Sequence, residues 1–227
     1  MPVDQAAFQD LKKYCDQHGV QLVAVSKTKP NEDVLALYEK GHRIFGENYV
    51  QELVKKQEEL PADIQWHFIG HLQSNKIKYI APFVALIHGV DSLKLLQAID
   101  KEGKKCNRII PCLLQVHVAK EETKFGFDIN ELRSAAAEIF LEKKFQHVSI
   151  AGLMGMASFT KDESIIRSEF QQLKSIFDEI RDTHKEQATH FKTLSMGMSS
   201  DYKIAVSFGS NMIRVGSVLF GARNYSN

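Results

Sequence analysis

Lys27 follows the apolar run Leu22-Val23-Ala24-Val25 and opens the polar stretch Lys27-Thr28-Lys29-Pro30. An amine held at the end of a buried strand loses hydration, which disfavours the ammonium form and lowers its pKa. The neutral amine attacks aldehydes to give imines. Taken alone, Lys27 reads better as a solvent-facing residue that merely ends a strand. Two later segments change that balance. Ser195-Met196-Gly197-Met198-Ser199-Ser200 is a small-residue loop that leads into a helix near Asp201, and a last strand-like segment, Met212–Val215, leads into Arg214-Val215-Gly216-Ser217. Gly197 and Gly216 let the backbone approach an anion closely, while Ser195, Ser199 and Ser217 offer hydroxyl donors. Either loop alone is a turn with a serine cap. Together, facing a nucleophilic lysine, they suit a phosphorylated aldehyde.

The elements that must position these residues alternate along the chain. Candidate strands lie at 21–25, 43–45, 65–68, 84–87, 109–116, 148–152, 191–194 and 212–215. Helical patterns separate them, beginning with a helix over 3–18 that Gly19 ends. Asn31 reads as an N-cap, with Glu32 and Asp33 in the first turn. Asn48 and Gln51 resemble a capping box ahead of Val50, Leu53 and Val54. Asp91 or Ser92 starts a helix that ends near Gly103, and Asn130 and Glu131 precede an apolar stripe from Leu132 to Phe140. The longest helix, 163–183, places Ile166, Phe170, Leu173, Phe177 and Ile180 on one face.

Strands joined by helical crossovers pair in parallel, and eight such units close into a single (β/α)₈ TIM-type barrel, an α/β fold. A doubly wound open sheet is the alternative on strand count alone. In a barrel, functional groups gather at the carboxyl ends of the strands, and the loops after strands seven and eight form the recurrent phosphate site. Lys27 and both serine loops fall there. With no long repeat or linker, residues 1–227 are expected to form one domain.

Composition narrows the function classes. The 227 residues carry 29 basic and 28 acidic side chains, net charge +1, so no broad basic field draws in nucleic acid. Three cysteines, Cys15, Cys106 and Cys112, lack CxxC spacing, which argues against a disulfide framework and a structural zinc site. No His/Asp/Glu cluster has metal-ligand spacing, and His67 is expected to be a hydrogen-bonded core residue. The first ten residues do not read as a secretory signal, and no apolar run is long enough to span a bilayer. A cytoplasmic protein without membrane attachment is expected.

Five ordered motifs carry a resemblance. They are Ala24-Val25-Ser26-Lys27-Thr28-Lys29-Pro30, Phe45-Gly46-Glu47-Asn48-Tyr49-Val50-Gln51-Glu52, and Trp66-His67-Phe68-Ile69-Gly70 with Leu72-Gln73-Ser74-Asn75-Lys76. Leu194-Ser195-Met196-Gly197-Met198-Ser199 is the fourth, and Arg214-Val215-Gly216 with Phe220-Gly221-Ala222-Arg223 the fifth. Across about 20–225 the chain resembles the YggS/PROSC family of pyridoxal 5′-phosphate (PLP) homeostasis proteins. The family is similar in fold to the barrel domain of alanine racemase.

The resemblance implies that Lys27 holds PLP, a vitamin B6 cofactor, as a Schiff base. It implies that Ser195, Met196, Ser199, Gly216 and Ser217 contact or border the phosphate, and that Arg214 lies beside the pyridine nitrogen. Asn48 is placed near the ring or its hydroxyl, or serves only as the N-cap. Guanidinium only donates hydrogen bonds, so Arg214 would leave the ring nitrogen unprotonated and the ring a poor electron sink. The chain ends soon after Arg223-Asn224-Tyr225, with no room for the second domain that supplies a racemase with its opposing tyrosine base. The expectation is therefore a carrier without efficient catalysis, with no catalytic residue and no metal, that hands PLP to PLP-dependent apoenzymes and is a monomer. A PLP-dependent amino-acid racemase is the runner-up, and a phosphosugar barrel enzyme without PLP a third reading. Lys29 and Lys124 are candidate second PLP sites. Met154 and Met156 are expected to line the pocket wall.

Overall fold

A computed structural model describes residues 3–119, 125–142 and 144–221. Eight parallel strands close in sequential order: β1 (Gln21–Val25), β2 (Ile44–Glu47), β3 (Gln65–Phe68), β4 (Leu86–Val90), β5 (Ile110–Val116), β6 (Val148–Gly155), β7 (Thr193–Ser195) and β8 (Met212–Val215). The ring is sealed by β1 against β8, where Val23 pairs with Arg214 and Ala24 with Val215. Closure excludes the open doubly wound sheet. The helices are α1 (Gln5–His18), α2 (Asn31–Tyr38), α3 (Val50–Glu59), α4 (Ile77–Ile80), α5 (Leu93–Lys105), α6 (Ile129–Leu141), α7 (Glu163–Thr183), α8 (Tyr202–Ser207) and α9 (Ser217–Phe220).

Alternation along each strand divides the core in two. Val23, Leu86, Leu113, Met154 and Met212 form an inner cluster. Ala24, Phe45, Leu114, Leu194, Ile213 and their neighbours pack outward under the helices. Each large apolar side chain so buried contributes about 1.5–3 kcal/mol. The α7 stripe Ile166, Phe170, Leu173, Phe177 and Ile180 is buried as its spacing predicts.

Strand ends depart from the sequence expectation at β2, β4, β6 and β7, and β6 runs past 152 to Gly155. β4 begins at Leu86 rather than at 84, because Val84 N–H is spent on Ile80 of α4. The strand then runs on through His88, a polar residue that the barrel interior accommodates with a partner. β2 likewise continues through Gly46 to the buried Glu47. β7 starts two residues late because Phe191 leaves the sheet line to stack on Phe177, ring centroids 5.0 Å apart.

Helix starts differ too. Pro30, not Asn31, takes the cap position of α2 and makes no side-chain capping bond, and the Asn31 amide donates instead to Glu59. α3 is preceded by Tyr49 with no side-chain cap, so Asn48 and Gln51 make no capping box. α5 is capped by Ser92 and continues past Gly103 to Lys105. At α6, Asp128 and Glu131 form a capping box ahead of the apolar stripe. Among the described residues, no helix is long and apolar enough to cross a membrane.

Candidate functional site at the β1, β7 and β8 mouth

The chain leaves β1 through a four-residue turn closed by Lys29 N–H donating to Ser26 C=O at 3.0 Å. Side chains alternate through it. Ser26 points outward, its hydroxyl donating to Glu47 Oε1 at 2.7 Å, and Lys27 lines the cavity at the barrel mouth. Thr28 has φ +61°, a left-handed conformation that a β-branched residue adopts only under constraint. Glu52 supplies the constraint, its Oε1 accepting from Thr28 N–H at 2.7 Å. Lys56 Nζ ties the assembly together with bonds to Glu47 Oε1 (2.7 Å), Glu52 Oε1 (2.8 Å) and Ser26 C=O (2.7 Å). Burial pushes the Glu47 carboxyl above the usual carboxylate range, although Lys56 and Ser26 oppose that shift.

Two strands round the ring from β1, the loop after β7 folds back on Asp201, which accepts from Met198 N–H at 2.6 Å. Burial raises the Asp201 carboxyl pKa, against the pull of that bond and of Arg214. Gly197 sits at φ +96°, and a Cβ there would lie 2.6 Å from Ala205 Cβ and 3.0 Å from Tyr202 Cα. Only glycine satisfies both the dihedral and the contact. The loop is joined to the next one by Gly216 N–H donating to Ser199 Oγ at 3.3 Å. A Cβ on Gly216 would stand 3.2 Å from the Val25 carbonyl oxygen, so this position brings β8 tightly against the end of β1.

Arg214 projects from β8 into the interior and is buried. Its Nη1 donates to Ser195 C=O (3.0 Å) and Ser195 Oγ (2.6 Å), and its Nη2 to Gly155 C=O (3.1 Å). Burial lowers its pKa to about 10, with Asp201 opposing, so it remains a cation at neutral pH.

One cavity of about 400 Å³ gathers Lys27, Asn48, Ser199, Arg214, Gly216 and Ser217. That size is within the range of small-molecule sites. Asn48, relieved of any capping task, has a buried Oδ1 with no hydrogen-bond partner among the described residues. Lys29 shares the cavity, its Nζ donating to Phe220 C=O at 2.6 Å. Met156 lines the wall as expected, whereas Met154 belongs to the inner core. A larger cavity of about 750 Å³ opens at the other end of the barrel, along 139–150 and 186–190, and collects none of the predicted residues.

Two predicted site residues do not reach the cavity. Ser195 faces the barrel interior and is fully buried, its hydroxyl engaged by Arg214. Met196 faces outward into the helix-side core, with its N–H bonded to Met212 C=O. Neither offers a phosphate a free donor. Lys124 lies outside the described residues. Sequence reading also missed the Glu47–Glu52–Lys56 cluster, although Glu52 and Lys56 stand at i, i+4 on α3, a spacing that signals a pair.

A parallel barrel with a strand-end lysine facing a serine-glycine cradle and a buried arginine defines a cofactor-binding barrel of the racemase type. The family model for the alanine racemase N-terminal domain matches residues 5–224. The pyridoxal phosphate homeostasis protein of Pasteurella multocida is 36% identical over 98% of this chain and 94% of its own length. The solved structure of PipY from Synechococcus elongatus with PLP bound is 36% identical, covers 95% of this chain and 100% of its own, and superposes with a TM-score of 0.83. The chain belongs to the pyridoxal phosphate homeostasis protein family, within the alanine racemase N-terminal domain family. An alanine racemase of Clostridium difficile, 14% identical with a TM-score of 0.72, shares the fold, and the match covers 59% of that enzyme.

Proposed function

We propose that the protein binds PLP at this mouth and holds it in reserve for PLP homeostasis, with Lys27 as the covalent anchor. The observation that carries the reading is the shared cavity: Lys27, Asn48, Ser199, Arg214, Gly216 and Ser217 all line it. PipY, named with PLP bound, supports it at 36% identity. When bound, PLP would supply an aldehyde, the electrophile with which a neutral lysine amine condenses with loss of water. Lys27 provides the amine. The hydroxyls of Ser199 and Ser217 hold the phosphate, and Gly216 gives it room. Arg214 would donate to the ring nitrogen, and Asn48, whose Oδ1 has no partner among the described residues, would turn to the ring hydroxyl. Ser195 serves by holding Arg214 rather than by touching phosphate.

The same proposal makes this one barrel domain a carrier rather than an enzyme. Arg214 has no proton acceptor to offer and keeps the ring from becoming a strong electron sink. The carrier acts as a monomer that releases PLP to apoenzymes. A cytoplasmic setting suits its three free cysteines, Cys15, Cys106 and Cys112. The experiment is borohydride trapping of the PLP-loaded protein followed by peptide mapping. Label is expected on Lys27 and lost in Lys27→Ala; label concentrated elsewhere in the wild type rejects the assignment.

A further inference from the structure

The barrel interior contains a buried polar chain that the binding site does not itself require. His67 Nδ1 lies 3.1 Å from His88 Nε2, and His88 Nδ1 lies 3.3 Å from Ser195 Oγ. Ser195 Oγ in turn accepts from Arg214 Nη1 at 2.6 Å. The chain crosses the barrel interior from β3 and β4 to β7 and β8, and all four side chains are buried.

One direction gives every hydrogen in this chain an acceptor. Arginine only donates, so Ser195 Oγ is the acceptor in the first link. The serine hydrogen is then available to His88 Nδ1. With Nδ1 accepting, a neutral His88 carries its hydrogen on Nε2 and donates to His67 Nδ1, which leaves His67 protonated on Nε2. Both rings are held neutral. Burial lowers His67 to about 3, with a smaller contribution from His42, and it lowers His88 well below the ordinary range, helped by His67 and Arg214. A second cation is therefore kept out of the interior beside Arg214.

We infer that His88 and His67, acting through Ser195, are positioning residues for Arg214: a one-way donor chain that fixes the guanidinium where it meets the ligand. Among the described residues, three of its five N–H groups are spent on Ser195 and Gly155, and the Nε–H with one Nη2–H is left for the cavity. Break the chain and the Ser195 hydroxyl is free to turn, which leaves the guanidinium held only by the carbonyls of Ser195 and Gly155. The inference rests on the reading of Arg214 as a ligand contact, but its first test does not need PLP.

Long-range ¹H–¹⁵N spectra of the full chain, labelled at histidine and without PLP, report the tautomers directly. His88 and His67 are both expected as Nε2–H; His88 protonated on Nδ1 overturns the chain. In the PLP-loaded protein, His88→Leu is expected to keep the Lys27 label, weaken PLP binding by about tenfold and shift the visible absorption of the bound cofactor. Ser195→Ala should shift it likewise, and the double variant should add little, because both remove the same link. Unchanged absorption in a folded His88→Leu protein, or fully additive losses, overturns the inference. Loss of the Lys27 label in the wild type rejects the PLP reading and leaves the tautomer result standing. If His88→Leu does not fold, the wild-type tautomers still decide.

Discussion

Thr28 N–H lies 2.7 Å from Glu52 Oε1, and this contact holds the residue after Lys27 in a left-handed conformation. A left-handed threonine costs about 1–3 kcal/mol, and a hydrogen bond to a charged acceptor returns about 1.5–3 kcal/mol. The two nearly offset, so without Glu52 the turn would rest on the Lys29 N–H bond to Ser26 C=O. Glu52→Ala is expected to destabilise the protein by about 1–3 kcal/mol in urea unfolding and to slow capture of PLP by Lys27. Thr28→Gly, which removes the strain but adds chain entropy, should stay within about 1 kcal/mol of wild type. Equal stability of Glu52→Ala and wild type would sink this account of the turn.

The buried histidines set an acid limit. His67 has a folded-state pKa near 3 against an ordinary value of 6.5. A depressed pKa means that the unfolded chain binds the proton first. Stability from this group is complete above about pH 6.5 and is lost as pH falls toward 3, at up to about 1.4 kcal/mol per pH unit. His42, lowered to about 4 by burial, adds to the same slope. His67→Asn is expected to flatten the decline between pH 6.5 and 4, measured by denaturant unfolding at a series of pH values. A slope unchanged from wild type would mean that His67 titrates normally.

How much of this was legible in the sequence depends on what each residue touches. Lys27, Gly216 and Ser217 announce themselves because each ends an apolar strand, and strand ends in a barrel share one rim. The eight strands were legible from period and spacing, but β2 and β4 ran past their predicted ends. Glu47 and His88 look like strand terminators until Lys56 and His67 are seen to partner them. Those partners come from elsewhere in the chain, so local pattern gives no sign of them. Ser195 and Ser199 lie four residues apart in one small-residue loop, yet one faces Arg214 in the interior and the other lines the cavity. Only the pleat of β7 and the turn at Gly197 separate their roles.

Arg214 tests the electrostatics of the mouth. Arg214→Ala leaves the Ser195 hydroxyl and the carbonyls of Ser195 and Gly155 without this donor, while Arg214→Lys keeps the charge but not the planar fork. Weakened PLP binding by about 10–100-fold is expected for Arg214→Lys, equivalent to roughly 1.4–2.8 kcal/mol, with Lys27 still labelled by borohydride. Titration of the visible band with PLP measures it. Wild-type affinity in Arg214→Lys would remove the guanidinium from the binding account.

The two cradle glycines should answer differently to the same added methyl group. At Gly197 a Cβ meets both a positive φ and a contact of 2.6 Å with Ala205 Cβ, packed behind the loop rather than in the cavity. Gly197→Ala is therefore expected to cost about 1–3 kcal/mol of stability. At Gly216 the φ of −122° is ordinary, and the nearest atom, the Val25 carbonyl oxygen, is 3.2 Å away. Gly216→Ala should fold with a loss below about 1.5 kcal/mol, but it pushes the β8 end away from β1 and reshapes the cradle. Its larger effect is expected in PLP affinity. Unfolding and PLP titration on both variants separate the two: Gly197 reports mainly on stability and Gly216 mainly on binding. A Gly216→Ala protein that binds PLP as wild type does would place the phosphate away from this loop.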